Sequence, residues 1–374
     1  MPPALTLRAG PDALALLRER GLRAEDVDVL PGASGGAKWL VLAGLDRYLF
    51  GEFFQTPRER PLHLIGSSIG SWRMACLAQR DPAAALDRGH HFYVHEQRYS
   101  SAKATPREVS AVLGAALDRL LGPTGAAEIL AHPWARLHVL TTHARGLAAG
   151  ARRGALLAGF GLAAAANALA RRSLALQFRR AIFHSAGDAT PFAALADLPT
   201  EHRALTAENL RAALAASGSI PLLMEGVRIS GAAGLFWDGG ILDYHPDLDF
   251  GPGPAGANAA GGLVSRAAAG KLVLYPHFYA HVIPGWFDRQ LGWRRVTGSA
   301  ASPNFRRALL IAPSDAFVAS LPGGKIPDRQ DFYALAEGER VRRWQQVVDA
   351  SAALGDELRE LVATGRVAEV VRPW

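Results

Sequence analysis

Apolar positions along the chain fall into two alternating patterns: short runs rich in β-branched residues and leucine, and longer stretches at helical spacing. "DVDVLPG" (26–32) is a short apolar run stopped by Pro-Gly, and "AKWLVLAGLDRYLF" (37–50) then repeats apolar residues with helical periodicity. This predicts strand, tight loop, helix. The unit recurs at once, with "PLHLIG" (61–66) as strand and "SWRMACLAQR" (71–80), after Gly70, as helix. Further apolar runs at 136–143, 181–187, 234–240, 271–276 and 308–313 alternate with helical stretches. Strands buried on both faces read as continuous apolar runs, so the alternation predicts an α/β layered domain with a mostly parallel sheet. Near the ends, "PDALALLRERG" predicts an amphipathic helix closed by Gly21, and 339–367 predicts one or two amphipathic helices packed on the domain.

Two segments depart from this alternation. "FGPGPAGANAAGG" (250–262) has the composition of a flexible linker, and it separates an expected domain over 26–250 from a C-terminal extension, 251–374, that packs on the same domain. "ARRGALLAGFGLAAAANALARR" (151–172) carries no charge between Arg153 and Arg171. Its 17 uncharged residues stand at the lower edge of the roughly 17 to 25 that span a bilayer. A buried or cap helix is the expectation, with membrane contact the alternative.

Composition narrows the class. A chain of 374 residues with 49% hydrophobic content can bury a large core, which excludes a disordered protein. The single cysteine, Cys76, cannot pair within the chain, which fits a reducing compartment. No basic segment followed by a long apolar one opens the sequence, so the expected location is cytoplasmic, with membrane association limited to peripheral contact. The net charge of +7 and pI near 9.9 would favour anionic partners. Yet the arginines are scattered through helical segments without interleaved aromatics, so no nucleic-acid partner is expected.

Three stretches carry candidate chemistry. In "PLHLIGSSIGSW", Gly66, Ser68 and Gly70 form a GxSxG pattern between a strand and a helix. Such a turn lifts a serine hydroxyl to the top of the sheet beside a helix N-terminus, where a base and oxyanion donors can activate it. In "LPGASGGAKW", Gly32, Gly35 and Gly36 let backbone amides face an anion at a helix N-terminus. That loop lacks the Gly-Lys-Ser/Thr ending of a P-loop and the spacing of a dinucleotide fingerprint. In "LFWDGGILDYHPDLDF", Asp238 ends an apolar run and is followed by Gly239 and Gly240, which would hold a carboxylate at a strand end.

Together these stretches resemble the patatin-like phospholipase family, with its glycine-rich oxyanion loop, GxSxG serine and later Asp-Gly-Gly/Ala motif. "AASGSIPLLMEGV" (215–227) also resembles the small-residue, Ile-Pro block preceding the aspartate motif. The resemblance covers about residues 26 to 250 and implies a three-layer α/β/α fold and a lipid acyl hydrolase (phospholipase A, lysophospholipase or esterase type). It implies Ser68 as nucleophile and Asp238 as its proton acceptor, without histidine, metal or organic cofactor. The family's loop pattern is GxGxxG, often with arginine before the last glycine. Aligned through the following helix, Leu30 stands for the first glycine and Ser34 for the arginine, with Gly32, Ala33 and Gly35 as oxyanion donors. Lys38, one turn on, is a candidate replacement for the missing charge.

Two alternatives stay open. An α/β-hydrolase triad would add His277 or His281 from "YPHFYAHVIPGWF", although only one clear strand precedes the serine where that fold builds several. A non-catalytic lipid-binding protein would explain the altered oxyanion loop. The expected partner is a lipid or other acyl ester, with peripheral membrane contact through 151–172 and the aromatic segment 277–293.

Overall fold

The computed structural model describes residues 2–56, 58–101, 103–150, 153–185, 190–251 and 272–374. Their strands are β1 (Leu5–Ala9), β2 (Val27–Gly32), β3 (Leu62–Ser67), β4 (Ala135–Ala144), β5 (Phe178–His184), β6 (Thr200–Ala204), β7 (Phe236–Asp238), β8 (Leu272–Pro276), β9 (Ala308–Pro313) and β10 (Arg372–Pro373). They form one sheet in the order β10-β1-β9-β8-β2-β3-β4-β5-β6, with β7 added beside β4. Pairings across the centre, β9-β8-β2-β3-β4, are parallel. Antiparallel pairs occur where β1 meets β9 and where β4 meets β5 and β7. The central sheet with its helices makes the three-layer α/β/α arrangement. β3, β8 and β9 are buried at every position, which is why they read as unbroken apolar runs.

One register relation positions the site. β4 is ten residues long, and its first part pairs with β3 as far as Ser67 opposite Leu140. There β3 stops and the chain turns into a helix, Ile69–Leu77. The next residue of β4, Thr141, pairs instead with Asp238 of β7. The C-terminal ends of β3 and β7 therefore meet against β4, and residues 68 and 238 become neighbours.

Every residue of the helix Ile69–Leu77 is buried, so it lies inside the molecule. Its one charge, Arg73, meets Asp46 of the helix Ala43–Tyr48 through two hydrogen bonds, Nε to Oδ2 at 2.8 Å and Nη2 to Oδ1 at 2.6 Å. Two-point pairing is the geometry that lets a guanidinium and a carboxylate share a dry interior.

Four expectations are corrected or bounded here. The single helix predicted over 37–50 is instead a tight turn, Gly36–Leu42, followed by Ala43–Tyr48 and a wider turn, Leu49–Phe53. Residues 39–43 are all buried, so the segment has no polar face to define a surface helix. The segment 277–293 is not an interfacial surface along its length: His277, Phe278, Val282 and Ile283 are buried, Tyr279 to His281 are half-buried, and full exposure begins only at Arg289. It follows the fully buried β8 directly, and its aromatic rings continue that strand's packing. The linker predicted at 250–262 lies, beyond Gly251, outside the described residues. Within 151–172 a helix forms over Arg153–Leu169, and among the described residues no helix is long and apolar enough to cross a membrane.

Candidate active site

Ser68 joins β3 to the helix Ile69–Leu77 with φ 53° and ψ −132°. A non-glycine residue with positive φ is strained, and the surrounding structure must enforce it. Here Ser68 N–H donates to Ser217 Oγ at 2.9 Å, while Ser217 Oγ donates to Leu140 O at 2.7 Å. Ser71 Oγ donates back to Ser68 O at 2.7 Å. The two glycines permit the close approach behind this turn. A Cβ on Gly70 would lie 2.1 Å from Gly32 O, and one on Gly66 would lie 2.5 Å from Gly70 C.

Ser68 Oγ donates to Asp238 Oδ2 at 2.8 Å. The other carboxylate oxygen, Oδ1, accepts the Gly240 N–H at 2.7 Å. Asp238 is further fixed by its backbone, since its N–H bonds Ser219 O at 2.9 Å and its carbonyl accepts Thr142 Oγ1 at 3.0 Å. Gly239 N–H bonds Ser217 O at 3.1 Å, so one short segment, 217–219, braces both the serine and the aspartate. Burial pushes the Asp238 carboxyl up to about 7, against the opposing pull of the Gly240 N–H, the Ser68 hydroxyl and the charge of Arg329.

The pair faces a pocket of about 160 Å³ lined by Ser34, Gly35, Gly36, Ile220, Tyr244 and Trp286, with Lys38, Arg289, Asp328 and Arg329 supplying charge. Of the loop glycines, Gly35 lines this pocket and Gly32 does not. Gly32 is the last residue of β2, in register with Gly66, and Ala33 is 1% exposed. Of the three residues expected as donors, Gly35 lines the pocket and Gly32 and Ala33 do not; the loop lines it from Ser34 onward. Gly36, at φ 55°, opens the following turn, and Lys38 N–H is the first to close back, onto Gly35 O at 3.3 Å. The opening amides of such a turn have no partner within it, which leaves those at Gly35 and Gly36 to face an anion. Ser34 Oγ meets Ser67 Oγ at 2.8 Å and Ser34 N–H donates to Tyr244 O at 2.7 Å, tying the loop to both motifs.

This geometry also moves the alignment of the loop. Four residues later than first read, Gly36 takes the central glycine of GxGxxG and Lys38 the basic position, with Ser34 and Trp39 at the outer two. Lys38 lines the pocket, and burial holds its amine below the usual lysine range, Asp328 opposing and Arg289 and Arg329 assisting.

The two histidines considered for a triad are elsewhere. His277 is 0% exposed, accepts the Tyr279 N–H at Nδ1 (2.8 Å) and is held near 3 by burial. His281 stacks on Tyr279, and neither lines the pocket. Sequence reasoning gave no role to Ser217, Tyr244, Arg289 or the segment Asp328–Gln330. Ser217 had a signal in the small-residue block 215–227, and Tyr244 in the stretch that holds Asp238.

A second cavity, of about 290 Å³, adjoins the first through Gly36, Ile220 and Arg329 and has mainly apolar walls, among them Val109, Leu113, Leu223 and Phe332. Comparison with protein families matches residues 32–246, more than half of the chain, to the family described as patatin-like phospholipase. No curated protein matches the chain.

Proposed function

The chain belongs to the patatin-like phospholipase family, and from that premise we propose that it hydrolyses lipid esters through Ser68 and Asp238 alone. The observation that carries this reading is the 2.8 Å hydrogen bond from the Ser68 hydroxyl to Asp238 Oδ2 at a strained elbow. A serine hydroxyl attacks only if a base takes its proton, and a carboxyl poised near neutral pH is matched to that task.

As the Ser68 Oγ–carbon bond forms, the proton passes to Asp238 Oδ2 and the carbonyl π pair moves onto oxygen. The resulting oxyanion accepts the amides of Gly35 and Gly36, with the Lys38 charge nearby. Collapse expels the alcohol, which leaves with the proton held on Asp238. Water then attacks the acyl-serine, gives its proton to Asp238, and the acid departs as Oγ recovers that proton. The adjoining cavity suits the acyl chain because its walls are apolar and it meets the pocket at Gly36, beside the oxyanion donors. Binding of His277 to a backbone amide favours the two-residue reading over a triad.

A fluorophosphonate probe tests the reading, since phosphonylation with loss of fluoride requires an activated serine and no knowledge of the substrate. Intact-mass analysis should show one adduct on the wild type and none on Ser68→Ala. A folded wild type that takes no label would leave the non-catalytic lipid-binding reading in its place.

A further inference from the structure

The helix Arg153–Leu169 buries one stripe and leaves the rest bare. Leu156, Phe160, Ala163 and Asn167 are buried at helical spacing. The stripe packs on Phe178, Trp286 and Phe287. A surface helix ordinarily carries charge on its other face. Here every exposed residue from Gly154 to Ala170 is apolar: Leu157 and Leu162 are 47% exposed and Leu169 is 89% exposed, with only glycine and alanine between.

The apolar surface continues past the helix. Leu147 lies on the turn that packs against Gly159, and Leu176 on the turn that follows the helix; both are exposed. Trp293 is 72% exposed, and Arg294 beside it donates to Asn167 O at 3.0 Å, which docks its turn onto the helix. The exposed charge beside this patch is mainly basic: Arg145, Arg172 and Arg295 are exposed, and the one acidic neighbour of Arg172 among the described residues, Asp197, is neutralised by its ion pair with the buried Arg180.

We propose that this face docks on an anionic lipid bilayer, with the helix lying in the plane of the interface. Exposed leucines and a tryptophan enter the boundary between head groups and acyl chains while arginines meet anionic head groups, the arrangement that interfacial helices use. A second copy of the chain fits less well, because a two-fold pairing would set each arginine fringe against itself. Docking also has a consequence for the site. Asn167 Nδ2 donates to Asp288 Oδ1 at 2.8 Å, and Trp286 and Arg289 of the same turn line the Ser68 pocket. The helix that carries the lipid-facing residues is thus tied, through its buried side, to the turn that lines the pocket.

The test uses Ser68→Ala protein, so that vesicles are not consumed and the outcome is independent of the proposed chemistry. Co-sedimentation is measured with phosphatidylcholine vesicles, with and without phosphatidylglycerol. Binding is expected with the anionic vesicles and should weaken with salt. Leu157→Glu/Leu162→Glu should reduce it by roughly thirtyfold, from loss of two half-exposed leucines to the interface. Arg172→Ser/Arg295→Ser should reduce it by about tenfold or more, and Trp293→Ala, away from the helix packing, should also weaken it. The same substitutions in the wild-type background should leave soluble short-chain ester turnover and the thermal midpoint unchanged. Absence of binding to anionic vesicles, binding indifferent to the leucine and arginine substitutions, or a dimer in light scattering that Leu157→Glu dissociates would each overturn the proposal.

Discussion

Substituting Gly70 by alanine should uncouple the oxyanion loop from the nucleophile while leaving the sheet folded. The added methyl would lie 2.1 Å from Gly32 O, 2.3 Å from Gly32 C and 2.8 Å from Ala33 O, all backbone atoms that cannot rotate away. To reach the 3.4 Å of ordinary contact, the loop and the elbow helix must separate by about 1.3 Å. A misplacement of about 1 Å in a reacting constellation costs on the order of a hundredfold in rate, and overpacking of this kind costs about 1–3 kcal/mol in stability. The second-order rate constant for fluorophosphonate labelling should therefore fall about a hundredfold, with a lowered but cooperative thermal transition. Gly161→Ala is the control, since nothing lies within 4 Å of the Cβ it would gain; it should label at the wild-type rate. A folded Gly70→Ala that also labels at the wild-type rate would refute the reasoning, because the donors would then be held by something other than the Gly32–Gly70 contact.

Acylation should rise with pH through about 7 as Asp238 ionises, and a rate that is flat across that range would remove Asp238 as the base. A carboxyl whose folded pKa is raised retains a proton that the unfolded chain has lost, so its contribution to stability declines as pH rises from 3.8 to about 7. Asp238→Asn should accordingly raise the unfolding midpoint at neutral pH while abolishing acylation. Asp46→Asn strands the buried Arg73 guanidinium and should cost about 3–5 kcal/mol in urea unfolding. Four histidines form a chain from the interior to the sheet edge, His63 to His138 at 3.0 Å, His138 to His184 at 2.6 Å and His184 to His202 at 2.7 Å. Burial first, then His202 and His63, lower His184 from 6.5 to about 4, so stability is complete above 6.5 and is lost as pH falls toward 4; the thermal midpoint should drop over that range, and less steeply in His184→Gln.

The elbow was legible because the turn itself demands its residues: small ones at Gly66 and Gly70, a strand before and a helix after. Asp238 was legible by its glycines and its place after an apolar run, but its closeness to Ser68 was implied only by the family resemblance and by no local pattern. That adjacency comes from β4, which exchanges β3 for β7 between Leu140 and Thr141, a register that no local pattern encodes. The glycine-rich loop was legible as a loop, but not which of its glycines faces the pocket, since Gly32 and Gly36 look alike in sequence while one ends a strand and the other, at φ 55°, opens a turn. Arg289 and Asp328–Gln330 enter the pocket from segments with no motif. The strands β1 and β10 at one end of the sheet escaped for a similar reason, being five and two residues long, with β1 paired to both β10 and β9.

The central claim is that one carboxylate, and no histidine, takes the serine proton. Single-turnover acylation by a chromogenic short-chain ester tests it most directly, compared across wild type, Ser68→Ala, Asp238→Asn, His277→Ala and His281→Ala, each shown folded by circular dichroism. Asp238→Asn should fall to the level of Ser68→Ala, because the acceptor itself is gone, while both histidine variants stay near the wild-type rate. A folded His277→Ala or His281→Ala at the Ser68→Ala level, or an Asp238→Asn that acylates like wild type, would contradict the account.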